Sequence, residues 1–279
     1  MDSSPLTLPA LQRMKSEGRK IAGVVAWDWQ MAQIADRAGV EIVSVGDTVG
    51  VNLWGHANPL EVTMEEMLIV ARAVRRGVKR ALVSVDFPYG PLQRGVDAAL
   101  AAAIRFVKEA GVDMVKLDGA SEYPEAVSAI ARAGIPVFAQ FGITPHTALK
   151  HGIDYKNTLK PGVQLPPALT GQLVREAKQL EAAGASLLDF THSGPVAGPA
   201  VTQAVQIPVI GGLGGGPWLD GRMRAVHLAI GYAAATIDNP PDTYAYVART
   251  ALDALSAYLE DVRAARQIKG GIPIKADAT

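Results

Sequence analysis

Cysteine is absent from this chain of 279 residues. That absence excludes a disulfide framework, a thiolate metal site and a cysteine nucleophile, so any metal must be held by oxygen or imidazole. The chain also has no net charge, because 27 basic residues balance 27 acidic residues. A chain with zero formal net charge has no global field that would attract nucleic acid or an anionic membrane. A small molecule is therefore the expected partner.

Long apolar runs are also missing. The first 20 residues lack the apolar stretch of a signal peptide, and Gly or charged residues interrupt the other apolar stretches well before about 18 residues. We therefore expect a cytoplasmic protein without a membrane span. The motifs Gly-x-Ser-x-Gly and His-Glu-x-x-His do not occur either, which disfavours a serine hydrolase and a zinc metalloprotease.

Short β-branched runs alternate with segments that carry apolar residues at helical spacing. The helical segments often end in Gly, as helix C-caps do, and Ala-Gly followed by a small or apolar residue recurs at four junctions. This alternation predicts βα units with right-handed crossovers. The clearly predicted strands are Ile21–Trp27, Glu41–Asp47, Ala81–Phe87, Val112–Asp118, Ile135–Phe141, Ser186–Thr191 and Ile207–Gly212.

Seven strands and a weaker eighth candidate near Ala233–Ile237 favour a closed (β/α)8 TIM barrel over an open doubly wound sheet. We expect residues 1–279 to form a single α/β domain, with an N-terminal helix or arm over about residues 1–18. One or two C-terminal helices are expected over about residues 242–268, with Leu252, Leu255 and Leu259 on one face. That face would cover the barrel or meet another subunit.

Aspartates stand at the ends of four predicted strands. In a barrel the carboxyl ends of all strands meet at one face, and that face carries the active site. Buried carboxylates repel each other and raise each other's pKa, so a cluster of them is tolerated mainly around a cation. The alternative is that each aspartate caps the helix that follows its strand. The four aspartates are Asp47, Asp86, Asp118 and Asp189.

The ligand types bear on the kind of cation. A hard, oxygen-ligated ion such as Mg²⁺ suits four carboxylates better than zinc does. Three histidines, His56, His146 and His192, are nevertheless available to supply nitrogen.

Lys116 lies two residues before Asp118 in the same predicted strand. Strand alternation places both side chains on the same side of the sheet, so the pattern predicts a lysine inside the barrel. A buried lysine needs a strong reason. Two explanations remain open, an ion pair that neutralises the acidic cluster and binding of a substrate carboxylate.

Six segments of the chain, several of them at strand ends, form one ordered sequence pattern. They are Val45–Gly50, Val62–Met67, Ala73–Gly77, Asp86–Tyr89, Val115–Gly119 and Gly142–Pro145. In this order, within roughly residues 20–230, they resemble ketopantoate hydroxymethyltransferase, a family of the phosphoenolpyruvate/pyruvate-like barrel superfamily. The resemblance implies Mg²⁺, transfer of a one-carbon unit from methylenetetrahydrofolate to the 2-oxo acid 2-oxoisovalerate, and a homo-oligomer. It also implies that Asp47 and Asp86 bind the metal and that Asp118 replaces a Glu near it.

The resemblance places four residues at the substrate: Gly46, Thr48, Lys116 and Gln140. Thr48 stands where a Ser usually contacts the substrate carboxylate, and Lys116 matches a substrate-site lysine that we also expect to act in catalysis. Gln140 replaces a His of the family pattern. Because an amide cannot titrate near neutral pH as imidazole can, this replacement favours an altered substrate.

Asp189 occupies the place of the Glu that the resemblance makes the base. Its side chain is shorter by about 1.5 Å, a large difference for a proton acceptor, so His192 is an alternative catalytic residue. The expected reaction is removal of the C3 proton of a small 2-oxo acid, followed by attack of the enolate on the one-carbon unit. A metal-dependent aldolase or lyase that cleaves a related 2-oxo acid is the first alternative. A non-catalytic metabolite-binding or scaffold protein is the second.

Overall fold

Eight parallel strands close into a barrel in which each strand pairs with its neighbours in the chain and the last pairs with the first. The computed structural model describes residues 4–154, 163, 165–239 and 242–271. The closed barrel confirms the predicted (β/α)8 fold. The strands are β1 (Ile21–Val25), β2 (Ile42–Val45), β3 (Leu82–Asp86), β4 (Met114–Leu117), β5 (Val137–Gly142), β6 (Leu187–Thr191), β7 (Val209–Gly211) and β8 (Gly221–Ala225).

Helices precede, connect and follow the strands along the chain. The α-helices are α1 (Leu8–Ser16), α2 (Trp29–Ala38), α3 (Val49–Asn52), α4 (Met64–Gly77), α5 (Val96–Arg105), α6 (Pro124–Arg132), α7 (Thr170–Ala182), α8 (Gly194–Ala204), α9 (Val226–Ala229) and α10 (Val247–Arg263). A π-helical turn, Phe106–Ala110, extends α5. Short 3-10 helices are Pro59–Glu61, Leu92–Arg94, Ala120–Glu122, Ala148–His151, Pro167–Leu169 and Ala234–Thr236.

Local sequence signals set the ends of these helices. At the start of α4, the backbone N–H of Glu66 donates to Thr63 Oγ1 at 3.3 Å, and the backbone N–H of Thr63 donates to Glu66 Oε2 at 2.7 Å. This capping box satisfies N–H groups that the first helical turn leaves unpaired. The four Ala-Gly junctions place a glycine in the left-handed region, with φ between 68° and 99°, as predicted for C-caps. These glycines are Gly39, Gly111, Gly134 and Gly184.

The barrel interior changes from apolar to polar along the strands. Near the amino ends, the inward side chains form a buried apolar cluster that includes Ile21, Ile42, Leu82, Met114, Phe138, Leu187, Ile210 and Met223. Residues two positions further along a strand point the same way. At those positions the interior receives the buried polar residues Ser44, Ser84, Lys116, Gln140 and Asp189. The polar layer therefore rests on an apolar floor.

Helix α1 closes the amino end of the barrel. Leu11 is fully buried and Met14 nearly so, and both belong to the apolar cluster at the starts of the strands. An ion pair of 2.9 Å between Lys15 Nζ and Asp220 Oδ2 ties the end of this helix to the segment before β8. The helix lies within the range predicted for an N-terminal helix.

The predicted position of the eighth strand was wrong. Strand β8 is Gly221–Ala225, whereas Ala233–Ile237 contains the 3-10 helix Ala234–Thr236. Strand β8 lacks a β-branched run, because its buried residues are glycine and methionine and its exposed residues are arginines. Gly221 is required at the pairing with β1, since a Cβ there would collide with the backbone oxygen of Ile21.

The chain divides into two compact units, residues 1–225 and 226–279. In the second unit, α10 lies in the region predicted for C-terminal helices, and Leu252, Leu255 and Leu259 are exposed. The single domain and the homo-oligomer stay predictions. Within the ranges that the structure describes, no helix combines the length and the hydropathy needed to cross a membrane.

We predict that Leu11→Ala lowers the free energy of unfolding by about 3 kcal/mol, because it removes buried methyl groups from the floor of the barrel. Gln12→Ala, an exposed change in the same helix, is the matched control and should shift it by less than about 0.5 kcal/mol. Urea unfolding measures both values. Equal effects of the two substitutions would contradict the view that α1 closes the barrel.

Candidate active site

The four aspartates lie at or near the carboxyl ends of β2, β3 and β4 and in the middle of β6, and all are buried. Asp86 is the last residue of β3, and its electrostatic interactions with the other three show that the carboxylates share one region. Their exposed fractions are 4% for Asp47, 7% for Asp86, 5% for Asp118 and 1% for Asp189. The expected convergence of strand-end carboxylates is therefore present in the structure.

Lys116 is the cation within this region. Its Nζ lies 3.0 Å from Asp189 Oδ2 and 3.5 Å from Asp86 Oδ2. Burial by itself would lower the pKa of the Lys116 ammonium, but the charges of Asp86 and Asp189 and the hydrogen bond to Asp189 raise that pKa above its ordinary value. The lysine is therefore charged at neutral pH, and it forms the ion pairs that the first explanation of its burial requires. Its contact with a substrate stays a prediction.

Asp86 has a strongly perturbed carboxyl group. Burial raises its pKa to about 7, against the lowering effect of Lys116, and the neighbouring carboxylates add to the increase. Its Oδ1 accepts a hydrogen bond of 3.4 Å from Ser44 Oγ, which in turn accepts one of 2.6 Å from Ser84 Oγ. Burial among like charges thus favours the protonated form of Asp86, as expected of a carboxylate in a region that needs more positive charge.

His146 lies between two aspartates on the other side of the cluster. Its Nε2 is 3.1 Å from Asp47 Oδ2, and its Nδ1 is 3.8 Å from Asp118 Oδ2. The side chain is only 4% exposed, and the ring of Tyr89 packs edge-on against it. Burial opposes the charge of the imidazole, but Asp118 and Asp47 raise its pKa to about 9. Burial also raises the pKa of Asp118, which His146 partly offsets.

Three side chains have the geometry of a cation site. Asp47, Asp118 and His146 each offer one ligand atom, and these atoms lie within 4.8 Å of one another. Two carboxylates and an imidazole form a donor set that suits a divalent metal ion. Asp86 contacts Lys116 and is not a member of this set of three. The metal roles of Asp47, Asp86 and Asp118 stay predictions.

Asp189 is held from two sides. Its Oδ1 accepts a hydrogen bond of 3.0 Å from the backbone N–H of Gly212, and its Oδ2 faces Lys116. Gln140, buried in β5, is paired in register with Asp189 in β6. The candidate base, the lysine and the glutamine that replaces the family histidine are thus grouped at adjoining strands.

His192 follows β6 in a left-handed backbone conformation with φ of 52°. Its Nδ1 lies 2.9 Å from the backbone oxygen of Val163, which makes Nδ1 the protonated nitrogen. Burial lowers the pKa of the imidazole, so the ring is neutral at neutral pH. Its Nε2 is buried without a hydrogen-bond partner among the described residues. A catalytic role for His192 stays a prediction.

The two remaining predicted substrate residues lie in the loop after β2. Gly46 cannot be larger, because a Cβ there would lie 2.8 Å from Val25 Cγ1 and 3.0 Å from Thr48 Oγ1. Thr48 is half-buried and precedes α3. Their contact with a substrate is not tested by the geometry.

His146 is the site residue whose place the sequence did not predict. It appeared only as one of three possible nitrogen donors, and its signal is its position in Thr144-Pro145-His146, just after β5. Of the other two, His56 lies 3.9 Å from Glu66 in a half-buried ion pair. His146 is the histidine that contacts Asp47, because the loop after β5 places its ring beside that carboxylate.

We predict that Lys116→Met, in protein freed of divalent ions, lowers the free energy of unfolding by about 3 to 5 kcal/mol, because two buried carboxylates lose their cation. The effect should be smaller at about pH 5.5 than at about pH 8, since unpaired buried carboxylates then take up protons. Lys178→Met, on the exposed side of α7, is the control. A pH-independent effect would contradict the ion-pair assignment.

Comparison with known proteins agrees with this fold. Phosphonopyruvate hydrolase, solved in complex with oxalate and Mg²⁺, superposes with a TM-score of 0.60 at 14% identity, covering 99% of this chain and 93% of that chain. The 2,3-dimethylmalate lyase, a member of the PEP mutase/isocitrate lyase superfamily, gives a TM-score of 0.58 at 14% identity, covering 98% and 91%. At this level of identity the likeness concerns the barrel alone.

Sequence relatives are much more similar. The 3-methyl-2-oxobutanoate hydroxymethyltransferase of Cyanothece sp. is 37% identical over 263 residues, which cover 92% of this chain and 96% of the relative. The enzyme of the same name from Cytophaga hutchinsonii is 35% identical over 262 residues, covering 94% of each. The family model of ketopantoate hydroxymethyltransferase matches residues 5–267. This chain belongs to the ketopantoate hydroxymethyltransferase family and is thus a member of an enzyme family.

Proposed function

We propose that this protein catalyses a metal-dependent, aldol-type transfer of a one-carbon unit to the enolate of a small 2-oxo acid. The observation that carries the proposal is the buried pair of Lys116 and Asp189, 3.0 Å apart, beside an acidic and histidine cluster. The relatives' name, 3-methyl-2-oxobutanoate hydroxymethyltransferase, supports a hydroxymethyl group as the transferred unit. The lyase alternative has no comparable support, since it follows only from the barrel.

Lys116, Asp189 and Gly212 have different roles in the proposed reaction. Lys116 binds the carboxylate of the 2-oxo acid, because it is the charged donor within the pocket. Asp189 accepts the C3 proton, and it does so after the substrate carboxylate has replaced Asp189 as partner of Lys116. The N–H of Gly212 keeps the Asp189 carboxylate oriented during that exchange. The cluster of Asp47, Asp118 and His146 would hold a divalent cation beside them, and that ion would supply positive charge for the keto oxygen and the enolate.

We propose further that the acceptor differs from the 2-oxoisovalerate of the resemblance. Gln140 stands beside Asp189 in the register of β5 and β6, where the family pattern has a histidine. An amide offers two donors and an acceptor but no proton for transfer near neutral pH. The position therefore orients a polar group, and an acceptor that carries one next to C3 suits it. Methylenetetrahydrofolate as donor remains part of the proposal.

We predict that Asp189→Asn slows deuterium uptake at C3 of the bound 2-oxo acid by about 100-fold or more, because the proton acceptor is lost. Proton exchange is followed by nuclear magnetic resonance in deuterated buffer without a one-carbon donor. Asp97→Asn, on the exposed side of α5, is the control and should exchange as the wild type does. Undiminished exchange in Asp189→Asn would remove Asp189 from the role of base.

We predict that Gln140→His shifts the preference among 2-oxo acids towards 2-oxoisovalerate by about tenfold in kcat/KM, because the variant restores the family residue. A panel of 2-oxo acids with and without a polar group near C3, assayed with methylenetetrahydrofolate, measures this preference. An unchanged ranking would show that Gln140 does not select the acceptor. Release of a 2-oxo acid from hydroxylated acids, without transfer, would favour the lyase.

A further inference from the structure

Two buried polar atoms of the cluster lack a hydrogen-bond partner within the described part of the chain. They are Asp118 Oδ1 and His146 Nδ1. The exposed fraction is 5% for the side chain of Asp118 and 4% for that of His146, so bulk water does not compensate either atom. An unsatisfied buried polar atom costs about 1 to 3 kcal/mol, and such atoms need an explanation. A bound cation between them is one.

The hydrogen bonds of the two side chains determine which atoms face that space. Asp47 Oδ2 can only accept as a carboxylate, so His146 Nε2 at 3.1 Å carries the hydrogen and donates it. Asp118 Oδ2 accepts from the backbone N–H of His146 at 3.2 Å, which leaves Oδ1 as the open oxygen. Nδ1 lies 3.8 Å from Asp118 Oδ2, beyond hydrogen-bond length. One nitrogen and one oxygen are therefore left for a ligand.

The surroundings hold the imidazole in place. The ring of Tyr89 meets His146 at 5.4 Å between centroids and an interplanar angle of 89°. With Nε2 bonded to Asp47, this ring has the arrangement seen at many metal sites, in which a carboxylate fixes the orientation of a ligating histidine. The ring does not need to turn for Nδ1 to act as a ligand.

We propose that His146 Nδ1 is a direct ligand of the cation together with Asp118 Oδ1, while Asp47 orients the ring. The nitrogen makes the site prefer Co²⁺ or Zn²⁺ to Mg²⁺. The proposal rests on the metal dependence proposed above and changes the identity of the ion. Mg²⁺ favours oxygen ligands and keeps several waters, whereas imidazole suits borderline transition metals. One nitrogen beside one carboxylate oxygen therefore affects which ion binds more than whether an ion binds.

A rival explanation makes the opposite prediction. In it, the imidazolium of His146 takes the place of the cation between Asp47 and Asp118, and no metal binds there. Removing the ring would then open the space between the carboxylates and increase the affinity for any divalent ion. The two explanations thus differ in the sign of one measured change.

Calorimetric titration of the metal-free, full-length protein with Co²⁺ and with Mg²⁺, without substrate, tests the proposal. We expect the wild type to bind Co²⁺ at least about tenfold more tightly than Mg²⁺. In His146→Gln the Kd for Co²⁺ should rise about 100-fold and the Kd for Mg²⁺ by less than about threefold. The ligand-field absorption of bound Co²⁺ should also change. His56→Gln, a substitution outside the cluster, is the matched control and should leave both Kd values unchanged.

His146→Glu is the second variant, and it replaces the nitrogen by oxygen. It should narrow the preference for Co²⁺ over Mg²⁺, and it keeps the test valid if His146→Gln folds poorly. An unchanged ratio of the two Kd values in both variants, or tighter binding of both ions by His146→Gln, would overturn the proposal. Deuterium exchange with Mg²⁺ as the added ion separates the two hypotheses. If the C3 proton exchanges but the protein shows no preference for Co²⁺, the proposed reaction stands and the proposed ligand role of His146 fails. If the protein prefers Co²⁺ but the C3 proton does not exchange, the metal site stands and the proposed reaction fails.

Discussion

The burial of one ammonium group among carboxylates constrains the whole site. Lys116 projects from β4 into the barrel and contacts Asp86 and Asp189, which come from two other strands. Lys116 contacts two of the four aspartates, and burial together with the neighbouring carboxylates raises the pKa of Asp86 to about 7. The apolar floor beneath this layer excludes water from one side, which strengthens the repulsion between the carboxylates. The site is therefore arranged to receive positive charge at its open end.

Most of the barrel and part of the site could be predicted from the sequence. Seven strands carry β-branched runs, and glycine C-caps mark where helices end, so local pattern was sufficient. Strand β8 was missed because Gly221 and Met223 face inward between exposed arginines, and such a strand is defined by closure with β1. His146 could not be placed because its contact with Asp47 spans 99 residues and depends on the path of a loop.

Family membership and site chemistry are separate results here. Proteins named as a hydrolase and a lyase share the barrel at 14% identity, which shows that this fold accommodates several reactions. The family relatives at 35% to 37% identity narrow the reaction class. Gln140 and Asp189 pair in register in β5 and β6, and His146 follows β5, so the residues proposed to decide acceptor and ion come from two adjoining strands and the loop between them.

The pairing of β1 with β8 has a consequence for how the protein is made. These strands are about 200 residues apart in sequence, and Lys20 near the start of β1 donates hydrogen bonds to the backbone oxygens of Pro217 and Leu219. Contacts of such high sequence separation form late and slowly, because a long loop must close first. During synthesis on the ribosome, β1 therefore cannot pair with β8 until nearly the whole barrel has been translated, so the barrel closes last.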